Sequence, residues 1–298
     1  MPRYSVTHRT RYTHTTPVGS AWQSLHLQPR NEDAQQCESF ELQVAPHPTD
    51  LASRFDYFGN KQHFFTLQEP HGELSITSRS IVLRDEPVLT MAGLTPAFGD
   101  IPARVDRAVL EEDFSLEQYL NASSLIPLLP EALELSDELA AGLDTGISTL
   151  DWLALFGERF HHAFAFDREA TEISTPLSEV IAERRGVCQD FAHLFISCLR
   201  QRRLPAAYVS GYLLTHPPAG RERLAGADAS HAWVSVFIPG SGWVDYDPTN
   251  ACFVGSGHIV VARGRDFRDV SPVKGLFSGG GGQTLETGVT VEETASSN

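Results

Sequence analysis

Arg184-Arg185-Gly186-Val187-Cys188-Gln189-Asp190-Phe191-Ala192-His193-Leu194-Phe195 is the segment on which the reading of the chain turns. Gly186 interrupts a preceding helical pattern. Phe191, Phe195, Cys198 and Leu199 then recur at helical spacing as far as Arg202, and Leu204-Pro205 stops the helix. Cys188 therefore falls in a first turn. Free backbone N–H groups and the helix dipole there favour an anion, which stabilises a thiolate and lowers the thiol pKa. The same amides suit the negative oxygen of a tetrahedral intermediate. The segment equally suits a small buried hydrophobe, a common fate of free cysteine. Cys198 is the internal comparison: it lies mid-helix among apolar residues and reads as core, and Cys37 and Cys252 have no setting like that of Cys188.

A thiol nucleophile needs a base within hydrogen-bond reach and a third group to orient that base. Among twelve histidines, His193 lies five residues along the helix, about 500° of rotation, so it points roughly 140° away from Cys188. It reads as a packing or surface residue. His161-His162 are adjacent and share no helix face. His231 is placed differently. In Asp228-Ala229-Ser230-His231-Ala232-Trp233-Val234-Ser235-Val236-Phe237-Ile238 a small-residue loop runs into an alternating strand, with His231 at its start. Pro239-Gly240-Ser241-Gly242 turns the chain, and Trp243-Val244-Asp245-Tyr246-Asp247-Pro248-Thr249-Asn250 runs back. An antiparallel hairpin sets the start of one strand beside the end of the other, which brings Asp247 to His231. A carboxylate there would hold the imidazole tautomer and stabilise imidazolium. Parity resists this: a four-residue loop pairs Ile238 with Trp243 and puts His231 and Asp247 on opposite faces, so a bulge or an odd loop must intervene. Asp245 has the parity of Asp247 and is the reserve. Taken alone, Asp247-Pro248-Thr249 reads as a turn former.

Outward from these segments, residues 2 to about 86 read as strands. Phe40, Leu42 and Val44 alternate with polar neighbours, as do Leu74 and Ile76, and Tyr57-Phe58-Gly59-Asn60-Lys61 supplies a hairpin turn. From about 103 to 185 the period is helical. Ser148-Thr149-Leu150-Asp151 resembles a capping box, opening a helix with Trp152, Leu155, Phe156 and Phe160 on one face. Thr175-Pro176 predicts an N-cap followed by proline at the first helical position, with the helix running to about Glu183. Strands follow near 206–214, 231–238 and 243–247. The fold class expected is α+β: an N-terminal β-sandwich-like domain over residues 1–90, an α+β core over 100–265 with the nucleophile helix packed on an antiparallel sheet, and over 266–298 a glycine-rich loop, a last strand and a flexible tail. Arg200-Gln201-Arg202-Arg203 reads as a solvated helix C-terminus, where cations complement the dipole, rather than as an anion site.

Composition sets the limits. The 298 residues are 41% hydrophobic and 20% charged, which excludes wholesale disorder. A net charge of −15 argues against nucleic acid and anionic membrane surfaces as partners. No apolar run reaches the roughly 18 residues of a membrane helix, and Met1-Pro2-Arg3-Tyr4-Ser5-Val6 lacks the apolar core of a secretory signal. A cytoplasmic location is expected, with all four cysteines as free thiols. No C-x-x-C or H-E-x-x-H pattern occurs, so no metal or cofactor is expected; one cysteine and one histidine, Cys188 and His231, are a thin ligand set for a zinc amidase.

Gly186-Val187-Cys188-Gln189-Asp190-Phe191-Ala192, Pro205-Ala206-Ala207-Tyr208-Val209-Ser210-Gly211-Tyr212, Ser230-His231-Ala232-Trp233 and Trp243-Val244-Asp245-Tyr246-Asp247-Pro248-Thr249-Asn250 together resemble the transglutaminase-like superfamily, relatives of the papain-like cysteine proteases. The resemblance spans about residues 150–265. Tyr4-Ser5-Val6-Thr7-His8-Arg9-Thr10-Arg11-Tyr12 also resembles the β-rich N-terminal domain of bacterial transglutaminase-like proteins. It implies Cys188 as nucleophile, His231 as base and Asp247 as orienting acid, in a papain-like core acting on a peptide or amide substrate through an acyl-enzyme. The superfamily includes transglutaminases, peptidases, amidases and members without catalysis. A peptidase or amidase is expected ahead of a crosslinking enzyme. The rival is a catalytically silent protein that binds a partner protein through its N-terminal domain. Trp152 and Gln189 are the residues considered for a second oxyanion donor, though each fits packing or surface better.

Overall fold

Tyr4, Val6, His8, Thr10 and Tyr12 are buried at alternate positions, and the strand they define, β1 (Arg3–Leu25), is the spine of the N-terminal unit. β2 (Gln35–Ala45), β3 (Asp50–Phe55), β4 (Lys61–Leu67) and β5 (His71–Arg84) follow in the order β2-β5-β1-β4-β3, all antiparallel. The first half of β1 pairs with β5, from Arg3–Leu83 to Thr13–Glu73. The register then breaks, and the second half pairs with β4, from Ala21–Leu67 to Leu25–His63. One hydrogen-bonded sheet is thus folded over at residues 13–18. Leu74 and Ile76 of one half meet Leu25, Phe65 and Leu67 of the other in a buried cluster. This is the sandwich-like arrangement expected, made by one strand that serves both layers. The computed structural model describes residues 1–89, 92–111, 113–171, 175–215 and 230–294.

The helical layer comprises α1 (Ile101–Glu111), α2 (Pro130–Ala140) and α3 (Thr149–Ala163), then the short β6 (Ala165–Phe166), α4 (Leu177–Glu183), β7 (Arg185–Gly186) and α5 (Cys188–Gln201). Ser148 caps α3 by accepting from Asp151 N–H at 3.1 Å. Trp152, Phe156 and Phe160 are buried as the periodicity predicts, whereas Leu155 is 41% exposed and Leu153 takes the inner place. Pro176 stands one position earlier than predicted, at the N-cap of α4. In α5 every residue from Asp190 to Arg200 is buried. A helix enclosed on all sides is an internal one, and it fixes the Cys188 segment rigidly.

β8 (Ala206–Leu213), β9 (Ser230–Ile238), β10 (Gly242–Asp247), β11 (Cys252–Phe253) and β12 (His258–Gly264) form an antiparallel sheet in the order β11-β10-β9-β8-β12. Ala232, Val234 and Val236 join the core with Phe191, Leu194 and Phe195 of α5. The opposite face carries a small cluster of Val209, Trp233, Val254 and Val260 and is covered by the N-terminal unit. There, side-chain amides complete the backbone of β12. Gln35 bonds both N–H and C=O of Val260, and Asn60 bonds both of Arg263, each at 2.8 Å. The outer edge of a sheet must be paired or covered, and these two residues do so.

After the single turn α6 (Phe267–Val270), the chain returns to the first sheet. β13 (Val273–Gly279) pairs with the second half of β1 and β14 (Gln283–Thr294) with the first half, from His14–Gln283 to Arg3–Thr294. The stretch 273–294, expected as loop, last strand and tail, thus completes the N-terminal sheet, with Val289 and Val291 buried in the main core. Residues 295–298 lie outside the described residues. Among the described residues no helix is long and apolar enough to cross a membrane.

Candidate active site

Gly186 is required where α5 begins. A Cβ at this position would stand 2.9 Å from Asp190 Oδ2 and 3.1 Å from Asp190 Cβ. Asp190 folds back to accept from Val187 N–H at 2.9 Å, half of a capping box, and from Thr171 Oγ1–H. Burial raises the Asp190 pKa, against the lowering by these two hydrogen bonds. The cap holds Cys188 as the first residue of α5, partly buried, in the turn where a helix leaves its first amides without intrahelical partners.

The β9–β10 hairpin resolves the parity conflict. Ile238 pairs with Gly242, not Trp243, across a three-residue loop in which Ser241 N–H bonds Ile238 O at 2.9 Å. Gly240 and Gly242 take φ of +85° and +81°, a conformation that glycine supplies at little cost. Shifting the partner by one moves Asp247 to the face of His231. His231 Nε2 stands 2.7 Å from Asp247 Oδ2, and the Cys188 thiol lies close enough to the same imidazole to help raise its pKa. With Nε2 engaged, Nδ1 is the nitrogen left for sulfur. The three residues expected to act together are brought together. Asp228 and Ala229 of the preceding loop lie outside the described residues.

Asp247 is fully buried and its two oxygens have separate tasks. Oδ1 accepts from Thr249 N–H at 2.9 Å and Asn250 N–H at 3.2 Å, so the residue is also the turn former its sequence suggests. Oδ2 receives His231, His258 Nε2 at 3.1 Å and Asn250 Nδ2–H at 2.6 Å. Burial alone would raise this carboxyl; the hydrogen bonds from His231 and His258 outweigh it and hold the pKa well below the ordinary range. For His231, burial disfavours the imidazolium, but Asp247 and Cys188 outweigh burial and raise its pKa to about 10. The site therefore favours imidazolium beside sulfur.

Asp245, the reserve acid, is committed elsewhere. It accepts from Arg263 on both oxygens, at 2.8 and 2.9 Å, and from Trp233 Nε1–H at 3.1 Å. Arg263 also grips Glu32 of the N-terminal unit at 2.7 and 2.9 Å. His193 packs against Tyr208 and accepts from Phe267 N–H at 3.1 Å; burial lowers its pKa to about 4. Cys198 is wholly buried, and burial pushes its thiol up to about 12. Trp152 is stacked between Phe98 and Phe156, a packing role. Gln189 is half-buried. Arg200 departs from the solvated helix end expected of its run: it is buried and donates to the carbonyls of Asn121, Ala206 and Arg265.

His258 and Asn250 escape sequence reasoning. Asn250 could have been found from its place in the Asp247-Pro248-Thr249-Asn250 turn. His258 carries no local signal, because β12 lies at the far side of the sheet order from β10. His231, Asp247 and His258 set three ligand atoms within 4.8 Å of one another, a group able to hold a metal ion. Both imidazoles spend Nε2 on Asp247 Oδ2, so ion binding would have to displace these hydrogen bonds.

Comparison with known proteins agrees with this architecture. Residues 4–83 match the bacterial transglutaminase-like N-terminal region, and residues 150–248 match the transglutaminase-like superfamily. An uncharacterized protein of Mycobacterium tuberculosis is 40% identical over 284 residues, covering 92% of this chain and 87% of that protein. A protein-glutamine gamma-glutamyltransferase of Pseudomonas aeruginosa is 31% identical over 124 residues, 40% of this chain and 18% of that one. The crystal structure of a candidate cysteine protease from Cytophaga hutchinsonii shares the fold, with a TM-score of 0.77 at 17% identity over 100% of this chain and 92% of that one. The chain belongs to the transglutaminase-like superfamily, and it carries the bacterial transglutaminase-like N-terminal region ahead of the superfamily core.

Proposed function

We propose that the protein is a thiol-dependent hydrolase of amide bonds, a peptidase or amidase working through an acyl-enzyme. Cys188 is the nucleophile, His231 the base and Asp247 the residue that orients it. The observation that carries the reading is the buried Asp247 carboxylate 2.7 Å from His231 Nε2, with the Cys188 thiol near enough to the same ring to favour its imidazolium form. His231 takes the thiol proton, and the thiolate attacks the carbonyl carbon. The Cys188 backbone N–H stabilises the oxyanion. The imidazolium then protonates the leaving amine, and a water molecule activated by His231 releases the acyl group. Attack by an amine in place of water would give transfer, so the two activities share every step up to the acyl-enzyme. The cysteine protease fold neighbour and the gamma-glutamyltransferase relative both have amide chemistry in their names, which is consistent with this reading.

The test is a peptide and amide library screened with the wild type and the Cys188→Ala and His231→Ala variants, folding being checked by circular dichroism. Turnover is expected in the wild type, sensitive to iodoacetamide and absent from both variants. Full turnover by Cys188→Ala on every amide the wild type accepts would end the proposal.

A further inference from the structure

A cavity of about 800 Å³ lies between the N-terminal unit and the catalytic sheet, and neither Cys188, His231 nor Asp247 lines it. Its volume is that of a small-molecule site. Its sheet wall includes Ser235, Trp243 and Asp245 of the β9–β10 hairpin, and its opposite wall includes Arg30, Phe58 and Arg84. Trp233, wholly buried on the same face of β9 as His231 and Ser235, lies with its ring 6.1 Å from that of His231 and donates to Asp245 of this lining.

Arg84 is the residue the fold does not explain. It is 3% exposed, and its Nε has no hydrogen-bond partner among the described residues. The other two arginines of the lining are satisfied: Arg30 is held by Glu32 at 3.1 Å, and Arg263 by Glu32 and Asp245. Asp245, Glu32 and Glu86 act on Arg84 only through their fields, and burial lowers its pKa. A guanidinium is a planar fork of five donors, and burying one without partners is costly. A carboxylate entering the cavity would supply the missing acceptors.

The remainder of the lining narrows the ligand. Asp33, Glu86 and Asp113 are exposed carboxylates around the cavity. They repel a bare dianion and attract a cation at the other end of the same molecule. Phe58, Tyr119 and the 41% exposed Trp243 offer aromatic surface. We propose that this inter-domain cavity binds a small zwitterion, a free amino acid or short peptide, with its carboxylate on Arg84, its ammonium toward the acidic residues and its side chain on the aromatic wall.

The test uses the full chain carrying Cys188→Ala, so that no probe is turned over and binding is read independently of the amidase proposal. The dipeptide Gly-Leu, its C-terminal amide, acetate and inorganic phosphate are titrated by calorimetry, with Trp243 fluorescence as a second readout. Saturable binding of Gly-Leu is expected, with the amide at least about tenfold weaker, since it cannot engage the guanidinium as a charged fork pair. Arg84→Met should weaken Gly-Leu about tenfold without lowering the melting midpoint, because no native partner is left unpaired; if that variant does not fold, Arg84→Lys, which keeps the charge and loses the fork, should weaken it likewise. Trp243→Phe should abolish the fluorescence change while calorimetric binding persists. The proposal is overturned if Gly-Leu does not saturate, if the amide or a folded Arg84 variant binds equally well, or if acetate or phosphate alone binds as tightly. It is also overturned if Gly-Leu binds and His231→Ala, introduced in the same background, abolishes that binding, which would place the dipeptide at the catalytic residues.

Discussion

Ile238 faces Gly242 across the β9–β10 hairpin, and this one pairing puts His231 and Asp247 on the same side of the sheet. A four-residue loop would send the carboxylate to the other face, where α5 packs. The arrangement depends on two left-handed glycines, neither of which meets an atom within 4 Å of an added Cβ. Gly240→Ala and Gly242→Ala should each cost roughly 1–2 kcal/mol through backbone strain alone. Urea unfolding measures the cost, and a loss near zero would show that the loop readily takes another conformation.

The charge state of His231 sets the pH dependence at the site. With its pKa raised to about 10, chiefly by Asp247 against burial, the imidazolium persists across neutral pH. An NMR titration of the His231 ring should show no deprotonation below about pH 9. In Asp247→Asn the support for imidazolium weakens, and the midpoint should move down toward the ordinary 6.5. An unshifted midpoint in this variant would contradict the orienting role of Asp247.

His258 is expected to position Asp247 rather than to touch substrate. Removing one hydrogen bond to a buried carboxylate costs about 1.5–3 kcal/mol, so His258→Phe should lower kcat about tenfold or more. KM should change little, and His258→Gln should restore part of the rate. Equal losses in the two variants would point to a packing role instead.

Arg263 and Asp245 form a buried pair whose breakage strands a charge. Arg263→Met leaves Asp245 without its guanidinium and should destabilise the chain by about 3–5 kcal/mol. The same substitution removes the Glu32–Arg263 link between the two units and leaves Glu32 on Arg30 alone, so the N-terminal unit should loosen from the β8–β12 sheet. Hydrogen exchange at Val260 and Arg263, whose amides bond Gln35 and Asn60, reports that loosening.

Acid should destabilise the fold before the carboxylates titrate. His8 and His193 are buried, and burial lowers both pKa values from 6.5 to about 4. The unfolded chain therefore binds more protons than the folded one between these limits. The stability is fully present above about pH 6.5 and is lost as pH falls toward 4, on the order of 3 kcal/mol per histidine. Urea midpoints measured from pH 7 to 4 check this, and His193→Gln should flatten the slope by about one proton.

Much of the site was legible in the sequence because its signals are local. Glycine before cysteine, aspartate three residues after the N-cap, and apolar residues at helical spacing specify a capped helix start wherever it packs. His231 at the head of an alternating strand and Asp247 before proline are likewise short-range patterns. The Leu155 and Arg200 expectations failed for the opposite reason. Burial of a given helix face depends on what packs against it, and Arg200 finds its carbonyl partners as far away as Asn121 and Arg265.

Chain chemistry alone settled that a thiol sits among free amides, that an imidazole begins a strand, and that a carboxylate ends the next one. Tertiary structure decided the hairpin register, the hydrogen bonds of His231 and His258 to Asp247, the engagement of Asp245 by Arg263, and the return of 273–294 to the first sheet. The physical reason is distance along the chain. Propensity and periodicity act over a few residues, whereas the partners of Asp247, Asp245 and β1 are chosen by which strands become neighbours.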